Sequence, residues 1–266
     1  MDVFLHNGEI KPRDQAVASL YSVEFSYGFG VYENIRVKKG MALYSDEHVT
    51  RLLASAEAIQ LEHTLTEQII EGYVEHLVGQ INQAAYNLKL LLIGARRAED
   101  AQFYCLPLKP KFPDRKLYRT GARAITMHYE RYLPNAKTLN MLPSYLAHRR
   151  AQEQNAYDTI FVNRRGEMVE GSRTNLFALR GQTLYTPPAD EVLIGVTRTH
   201  VIATAEATGL TVIEQALPLS DIDSYDSFFL TSTSSKIMPL RSIDDEQLTI
   251  SDALHELMRQ FAFKSD

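Results

Sequence analysis

Short strand-like runs interleave with helix-period segments along the 266-residue chain, and this alternation places it in the mixed α and β class. Strand character is read at residues 3–6, 32–37 and 41–44, the last two joined by the turn Lys38-Lys39-Gly40. A helix starts near Ser45, a good cap, with Asp46 and Glu47 in a first turn where the helix dipole favours anions. Val49, Leu52, Leu53, Ala56 and Ile59 keep its apolar positions in helical register. A second helix runs from about Thr66, and residues 88–93 read as a buried strand. Further on come a strand at 122–128, a helix at 143–155 with proline in its first turn, and strands at 159–162, 167–170, 175–179 and 183–185. A helix at 197–208 stops at Gly209, a residue suited to the C′ position. Strands at 211–214 and 227–231 and a helix at 251–261 complete the pattern.

Residues 109–121 carry Pro110, Pro113, Gly121 and five basic residues between 109 and 119. A domain boundary is expected there, with a smaller domain over 1–115, a linker over 116–122 and a larger domain over 123–266. An ordinary basic surface loop within one domain is the alternative.

Composition narrows the function. Hydrophobic residues make up 45% of the chain and charged residues 23%, a globular mixture that argues against disorder and coiled coil. The net charge is -5 with no Lys/Arg stripe, so no nucleic-acid partner is expected. No run approaches the roughly 20 apolar residues of a membrane span, and the opening residues lack a signal peptide's apolar stretch. No membrane partner is therefore expected. The single cysteine, Cys105, offers no internal disulfide or structural zinc site, and a reducing cytoplasm is the expected setting. P-loop, nucleophile-elbow and H-E-x-x-H motifs are missing. Gly28-Phe29-Gly30 opens like a dinucleotide loop, but Glu33 stands where the third glycine belongs. The histidines are scattered and no metal is expected.

Between Arg131 and His148 the only formally charged residue is Lys137. Apolar surroundings disfavour an ammonium ion, lower the pKa and make the neutral amine available as a nucleophile, which is what a Schiff-base lysine requires. The alternative is a lysine whose stem lies on apolar surface while its amine reaches water. Other segments have similar double readings. Glu170 ends a strand pattern before Gly171-Ser172, as a site carboxylate or a solvated one. Arg51 follows Glu47 by four residues and suits an ordinary helical ion pair. Gly195-Val196-Thr197-Arg198 opens a helix, whose N–H groups can hold phosphate or water. Thr231-Ser232-Thr233-Ser234-Ser235 is a donor-rich loop or a plain turn.

Taken in order, these segments resemble the class IV pyridoxal-phosphate aminotransferases, a group that includes D-amino-acid and branched-chain aminotransferases and aminodeoxychorismate lyase. The matching blocks are Tyr27-Gly28-Phe29-Gly30-Val31-Tyr32-Glu33, His48-Val49-Thr50-Arg51-Leu52 and Lys137-Thr138-Leu139-Asn140. They continue with Val169-Glu170-Gly171-Ser172-Arg173-Thr174-Asn175-Leu176-Phe177, Gly195-Val196-Thr197-Arg198 and Thr231-Ser232-Thr233-Ser234-Ser235. The resemblance implies an α+β fold with a small N-terminal α/β sandwich and a larger C-terminal pseudo-barrel domain. It implies a homodimer with pyridoxal 5'-phosphate as cofactor and an amino acid and a 2-oxo acid as substrates. Lys137 is then the lysine of the internal aldimine and Glu170 the carboxylate beside the pyridine nitrogen. Arg51, Val196, Thr197 and Thr233 hold the phosphate.

The branch is mixed. Tyr32 stands where D-amino-acid enzymes carry a substrate-facing tyrosine, while their Arg-x-His pair is replaced by Arg96-Arg97-Ala98. Arg36 falls in Glu33-Asn34-Ile35-Arg36, where branched-chain enzymes often have Glu-Gly-Ile-Arg. Tyr32, Arg36, Arg97 and Ser234 are the candidate substrate residues. The expectation is a transaminase for D-amino acids or branched-chain amino acids. The alternatives are an aminodeoxychorismate lyase and a cofactor-free binding or hydrolytic domain.

Overall fold

In residues 30–38 buried and half-buried side chains alternate along the whole run, the period that forces a strand with one face on a core. The computed structural model describes residues 1–17, 19, 21–110 and 112–261. Within it the chain divides into two units, residues 1–110 with Ala136–Asn140, and Phe112–Asn135 with residues 141–261. The change of unit falls just before the expected 116–122 linker. The 116–122 segment holds a helical turn, Leu117–Thr120, and enters a strand at Ala122. Residues 18, 20 and 111, and 262–266 of the expected larger domain, lie outside the described residues.

The first unit contains β1 (Val3–His6), β2 (Glu9–Pro12), a short α1 (Val23–Tyr27), β3 (Gly30–Lys38), β4 (Met41–Ala42), α2 (Ser45–Ala58), α3 (Glu67–Gly79), β5 (Ala85–Ile93) and β6 (Gln102–Leu108). Among the described residues the strands form one antiparallel sheet in the order β2-β1-β6-β5-β3-β4. The helices α2 and α3 pack on it, burying Leu5, Val31, Ile35, Leu52, Ile70, Leu88 and Phe103 in one core. Each such side chain contributes about 1.5–3 kcal/mol by leaving water. Ser45 is the first helical residue rather than the cap. Tyr44 occupies the cap position with φ 54° and no side-chain cap bond to the helix, and the Leu43 N–H before it is still engaged with the Arg36 carbonyl of the preceding hairpin.

The second unit contains α4 (Leu117–Thr120), β7 (Ala122–His128), α5 (Leu142–Glu153), β8 (Asp158–Val162), β9 (Glu167–Gly171), β10 (Asn175–Arg180), β11 (Thr183–Thr186), α6 (Val196–Ala207), β12 (Thr211–Glu214), β13 (Leu217–Pro218), β14 (Ser227–Ser232), β15 (Lys236–Ile243), β16 (Glu246–Gln247) and α7 (Asp252–Gln260). The described strands run β12-β11-β10-β14-β15-β7-β8-β9-β13, and β9 also pairs with β10. That extra pairing closes β10, β14, β15, β7, β8 and β9 into a ring, the barrel-like sheet expected for this half of the chain. The closing register pair is Glu170 with Asn175. Gly209 adopts φ +89° just past α6, and its N–H and that of Leu210 return to Glu206 and Ala205 carbonyls, as a C′ glycine should. Among the described residues no helix is long and apolar enough to cross a membrane.

Candidate active site

In the first unit the segment Ala136–Asn140 lies along β3. The Tyr32 N–H donates to the Lys137 carbonyl at 3.0 Å, and the Leu139 N–H donates to the Gly30 carbonyl at 2.8 Å. The Lys137 N–H donates to Ser55 Oγ at 3.1 Å. The backbone of Lys137 is thus pinned on both sides. Its Nζ lies 4.6 Å from the centroid of the Tyr32 ring, within cation–π range. Lys137 makes no ion pair among the described residues.

Alternation along β3 turns Tyr32, Asn34 and Arg36 to one face and Val31, Glu33 and Ile35 to the core. Glu33 is therefore a fully buried carboxylate. Its Oε1 accepts from Arg51 Nε at 2.6 Å, and its Oε2 accepts from Arg51 Nη2 and from His48 Nδ1, each at 2.8 Å. The Asn34 N–H adds a fourth donor at 3.2 Å. Burial alone would push this carboxyl up, but the Arg51 guanidinium, followed by His48, outweighs it and holds Glu33 far below the usual carboxylate range. Arg51 thus meets a carboxylate from a neighbouring strand, by a bidentate fork. Neither Glu33 nor His48 stood out in the sequence as a site residue. Arg97 is exposed and pairs with Asp100, Nη2 to Oδ2 at 2.7 Å.

In the second unit Glu170 is buried at the end of β9. Its Oε1 lies 2.8 Å from Arg131 Nε, and its Oε2 accepts from the Leu193 N–H at 3.3 Å. Beside it is a cavity of about 210 Å³ lined in part by Tyr129, Arg131, Phe161, Val169 and Glu170. The turn after Glu170 is sewn to Asp158, which accepts from the Ser172 hydroxyl and from Thr174 Oγ1. Gly171 is required there, because a Cβ would stand 2.7 Å from Asp158 Oδ2 and 2.0 Å from Thr174 Oγ1.

The helix α6 begins at Gly195 with no side-chain cap, and Val196 and Thr197 in its first turn are buried. Asn175 Nδ2 donates to the Leu193 carbonyl at 2.7 Å, and a Cβ on Gly195 would lie 2.1 Å from Asn175 Oδ1. Across the ladder from Asn175, the Thr231 hydroxyl is buried with no hydrogen-bond partner among the described residues. Buried helix-start N–H groups and an orphaned hydroxyl suit an anion such as a phosphate ester. These residues fit a phosphorylated cofactor. Thr233 and Ser234 stand half-buried at the tip of the β14–β15 turn. Of the candidate residues, Lys137, Tyr32, Arg36, Arg51 and Arg97 belong to the first unit, and Glu170, Val196, Thr197, Thr233 and Ser234 to the second.

The amino-transferase class IV family profile matches residues 30–243. The D-alanine aminotransferase of Bacillus licheniformis is 30% identical over 254 residues, covering 92% of this chain and 89% of its own. A Methanocaldococcus jannaschii relative, provisionally named a branched-chain-amino-acid aminotransferase, is 31% identical over 260 residues, covering 92% of this chain and 88% of its own. The fold superposes on the branched-chain aminotransferase of Thermoproteus uzoniensis, solved with norvaline, with TM-score 0.87 at 24% identity over 97% of this chain and 92% of that one. A hypothetical aminotransferase of Mycobacterium tuberculosis, solved with alpha-ketoglutarate and PMP bound, gives TM-score 0.84 at 22% identity over 97% of this chain and 96% of that one. The chain belongs to the class IV aminotransferases. It is an enzyme of transamination with the fold-type IV architecture, and enzymes of this class use pyridoxal phosphate. These relatives favour neither the lyase alternative nor the cofactor-free one.

Proposed function

We propose that this enzyme moves the amino group of a D-amino acid or a branched-chain amino acid to a 2-oxo acid, with Lys137 as the residue that binds pyridoxal 5'-phosphate covalently. The setting of Lys137 carries the proposal: a backbone pinned to β3, an amine over an aromatic face, and no carboxylate holding its proton. An amine so placed can serve as nucleophile and base. Pyridoxal phosphate, when bound, supplies an aldehyde that condenses with amines and a ring that draws electron density from the α-carbon. Once the amino group of the donor had displaced it from the cofactor's aldehyde carbon, the Lys137 amine would be free to take the donor's α-proton and deliver it to that same carbon. Glu170, already ionically matched by Arg131, offers carboxylate oxygen to the ring nitrogen and favours its protonated form. The start of α6 at Val196 and Thr197, with Thr233 and Arg51, is assigned to the phosphate. Tyr32, Arg36, Arg97 and Ser234 are assigned to the substrate, the arginines to its carboxylate.

Borohydride reduction of the enzyme with pyridoxal phosphate, followed by digestion and mass spectrometry, is expected to place a pyridoxyl group on Lys137. A group elsewhere, or none, overturns the assignment. The variant Glu170→Gln is expected to slow α-proton removal by about 10²-fold in single turnover, because a neutral amide does not stabilise a protonated ring. Unchanged half-reaction rates would contradict the role given to Glu170. The relatives' names support both D-alanine and branched-chain donors. A half-reaction panel of D- and L-amino acids, read from the cofactor spectrum, separates the two. A homodimer in a reducing cytoplasm is part of the same reading, and sedimentation as a monomer would count against it.

A further inference from the structure

The β14–β15 turn is held by two tyrosines that have no place in the family's motifs quoted above. Ser232 pairs with Lys236 across the hairpin, which leaves Thr233-Ser234-Ser235 as the turn. Lys236 follows with φ 57°, a left-handed conformation that a lysine adopts only where its surroundings impose it. The surroundings here are a hydroxyl network. The Ser232 and Ser235 hydroxyls lie 2.7 Å apart, and the Ser235 N–H donates to Ser232 Oγ at 3.2 Å. The Tyr118 hydroxyl donates to the Ser235 carbonyl at 2.9 Å. Burial raises the pKa of the Tyr157 phenol, and hydrogen bonding with the Ser235 and Ser232 side chains opposes that rise.

Each tyrosine is anchored from a different element. Tyr118 sits on α4. Tyr157 stands just before β8, with its N–H donating to the Arg123 carbonyl at 2.7 Å, and both rings pack on the barrel core. Ser235 is fully buried inside this network, whereas Thr233 and Ser234 project at the tip with no side-chain hydrogen bond among the described residues. The base of the turn is over-determined and its tip is left with donors to spare.

We propose that Tyr118 and Tyr157 are positioning residues that set the conformation of the 232–235 turn and thereby aim Thr233 and Ser234 at the anionic groups of cofactor and substrate. The inference rests on the phosphate and carboxylate assignments made above. Removing the Tyr157 hydroxyl keeps the ring and its packing but loosens the two serines, so the cost falls on anion binding rather than on folding.

The test compares Tyr157→Phe with the wild-type full-length enzyme. Its apparent Kd for pyridoxal 5'-phosphate and its KM for the amino donor are each expected to rise about fivefold, the size of one lost hydrogen bond, with kcat changed less than about twofold. The melting temperature is expected to stay within about 3 °C. If Tyr157→Phe does not fold, Tyr118→Phe, which removes the donor to the Ser235 carbonyl, is measured in the same way. Unchanged Kd and KM overturn the proposal, as does a fall in kcat with both unchanged. Thr233→Val separates this inference from the reading beneath it. If Thr233→Val raises the cofactor Kd while Tyr157→Phe does not, the positioning role alone fails. If Thr233→Val also leaves the Kd unchanged, the phosphate assignment of the turn fails with it.

Discussion

Lys137→Ala is expected to retain no covalently fixed pyridoxyl group after borohydride reduction and to lower transamination by about 10⁴-fold or more, some 5.5 kcal/mol of barrier. Two roles vanish together, the covalent hold on the cofactor and the base that shuttles the α-proton, so the losses compound. Folding is expected to be nearly untouched. The contacts that pin this segment run through the Lys137 N–H and carbonyl, to Ser55 and Tyr32, and alanine keeps both. The side chain contributes a cation–π contact of about 0.5–1 kcal/mol at a half-buried position. A small primary amine added to the variant should restore part of the rate by replacing the missing base. A variant with wild-type rates and a pyridoxyl group still fixed to the chain after reduction would remove Lys137 from the chemistry.

Glu33→Gln is expected to cost about 3–5 kcal/mol of stability, the range seen when one member of a buried ion pair is removed and the other is left charged. Glu33 is fully buried and Arg51 is 14% exposed, so water cannot replace the missing charge. The glutamine is the same size, so the loss is electrostatic and not a cavity. The dependence on pH has a definite sign. The folded carboxyl is held below its unfolded value, so its contribution is complete at neutral pH. It is lost as pH falls below the ordinary glutamate range near about 4.3, toward the depressed folded value. The gap in melting temperature between wild type and Glu33→Gln should be constant above about pH 5 and shrink in acid. Equal melting temperatures at pH 7, or a gap that widens on acidification, would show that the pair does not stabilise the fold. Arg51 is also assigned to the phosphate, so the variant is expected to bind pyridoxal phosphate more weakly.

Much of the chain was legible before the fold was known, where the signal is local. The strand at Ala122–His128 and the helices capped by Thr66 and Ser251 follow from neighbours one to four residues away. So does the stop at Gly209. Lys137 and Glu170 stood out because each is a charge set in an apolar or turn-bounded run. The strands Gln102–Leu108 and Lys236–Ile243 were not read. Pro107 and Pro239 interrupt them, and a proline within a strand removes a ladder donor and masks the pattern. Yet β15 runs between β14 and β7 and is buried over most of its length, which no count of alternating residues announces.

Sequence alone determined the class of fold, the order of its main elements and the candidate lysine, because capping, periodicity and solvation act over a few residues. Only the tertiary structure decided which carboxylate Arg51 meets, since β3 brings Glu33 to a helix whose own Glu47 is nearer along the chain. It also decided that the barrel closes at Glu170 and Asn175, and that the Tyr118 hydroxyl reaches Ser235 in a turn far downstream. Those contacts join residues that the chain separates widely, and their energy comes from burial and charge pairing that exist only once the sheets have formed.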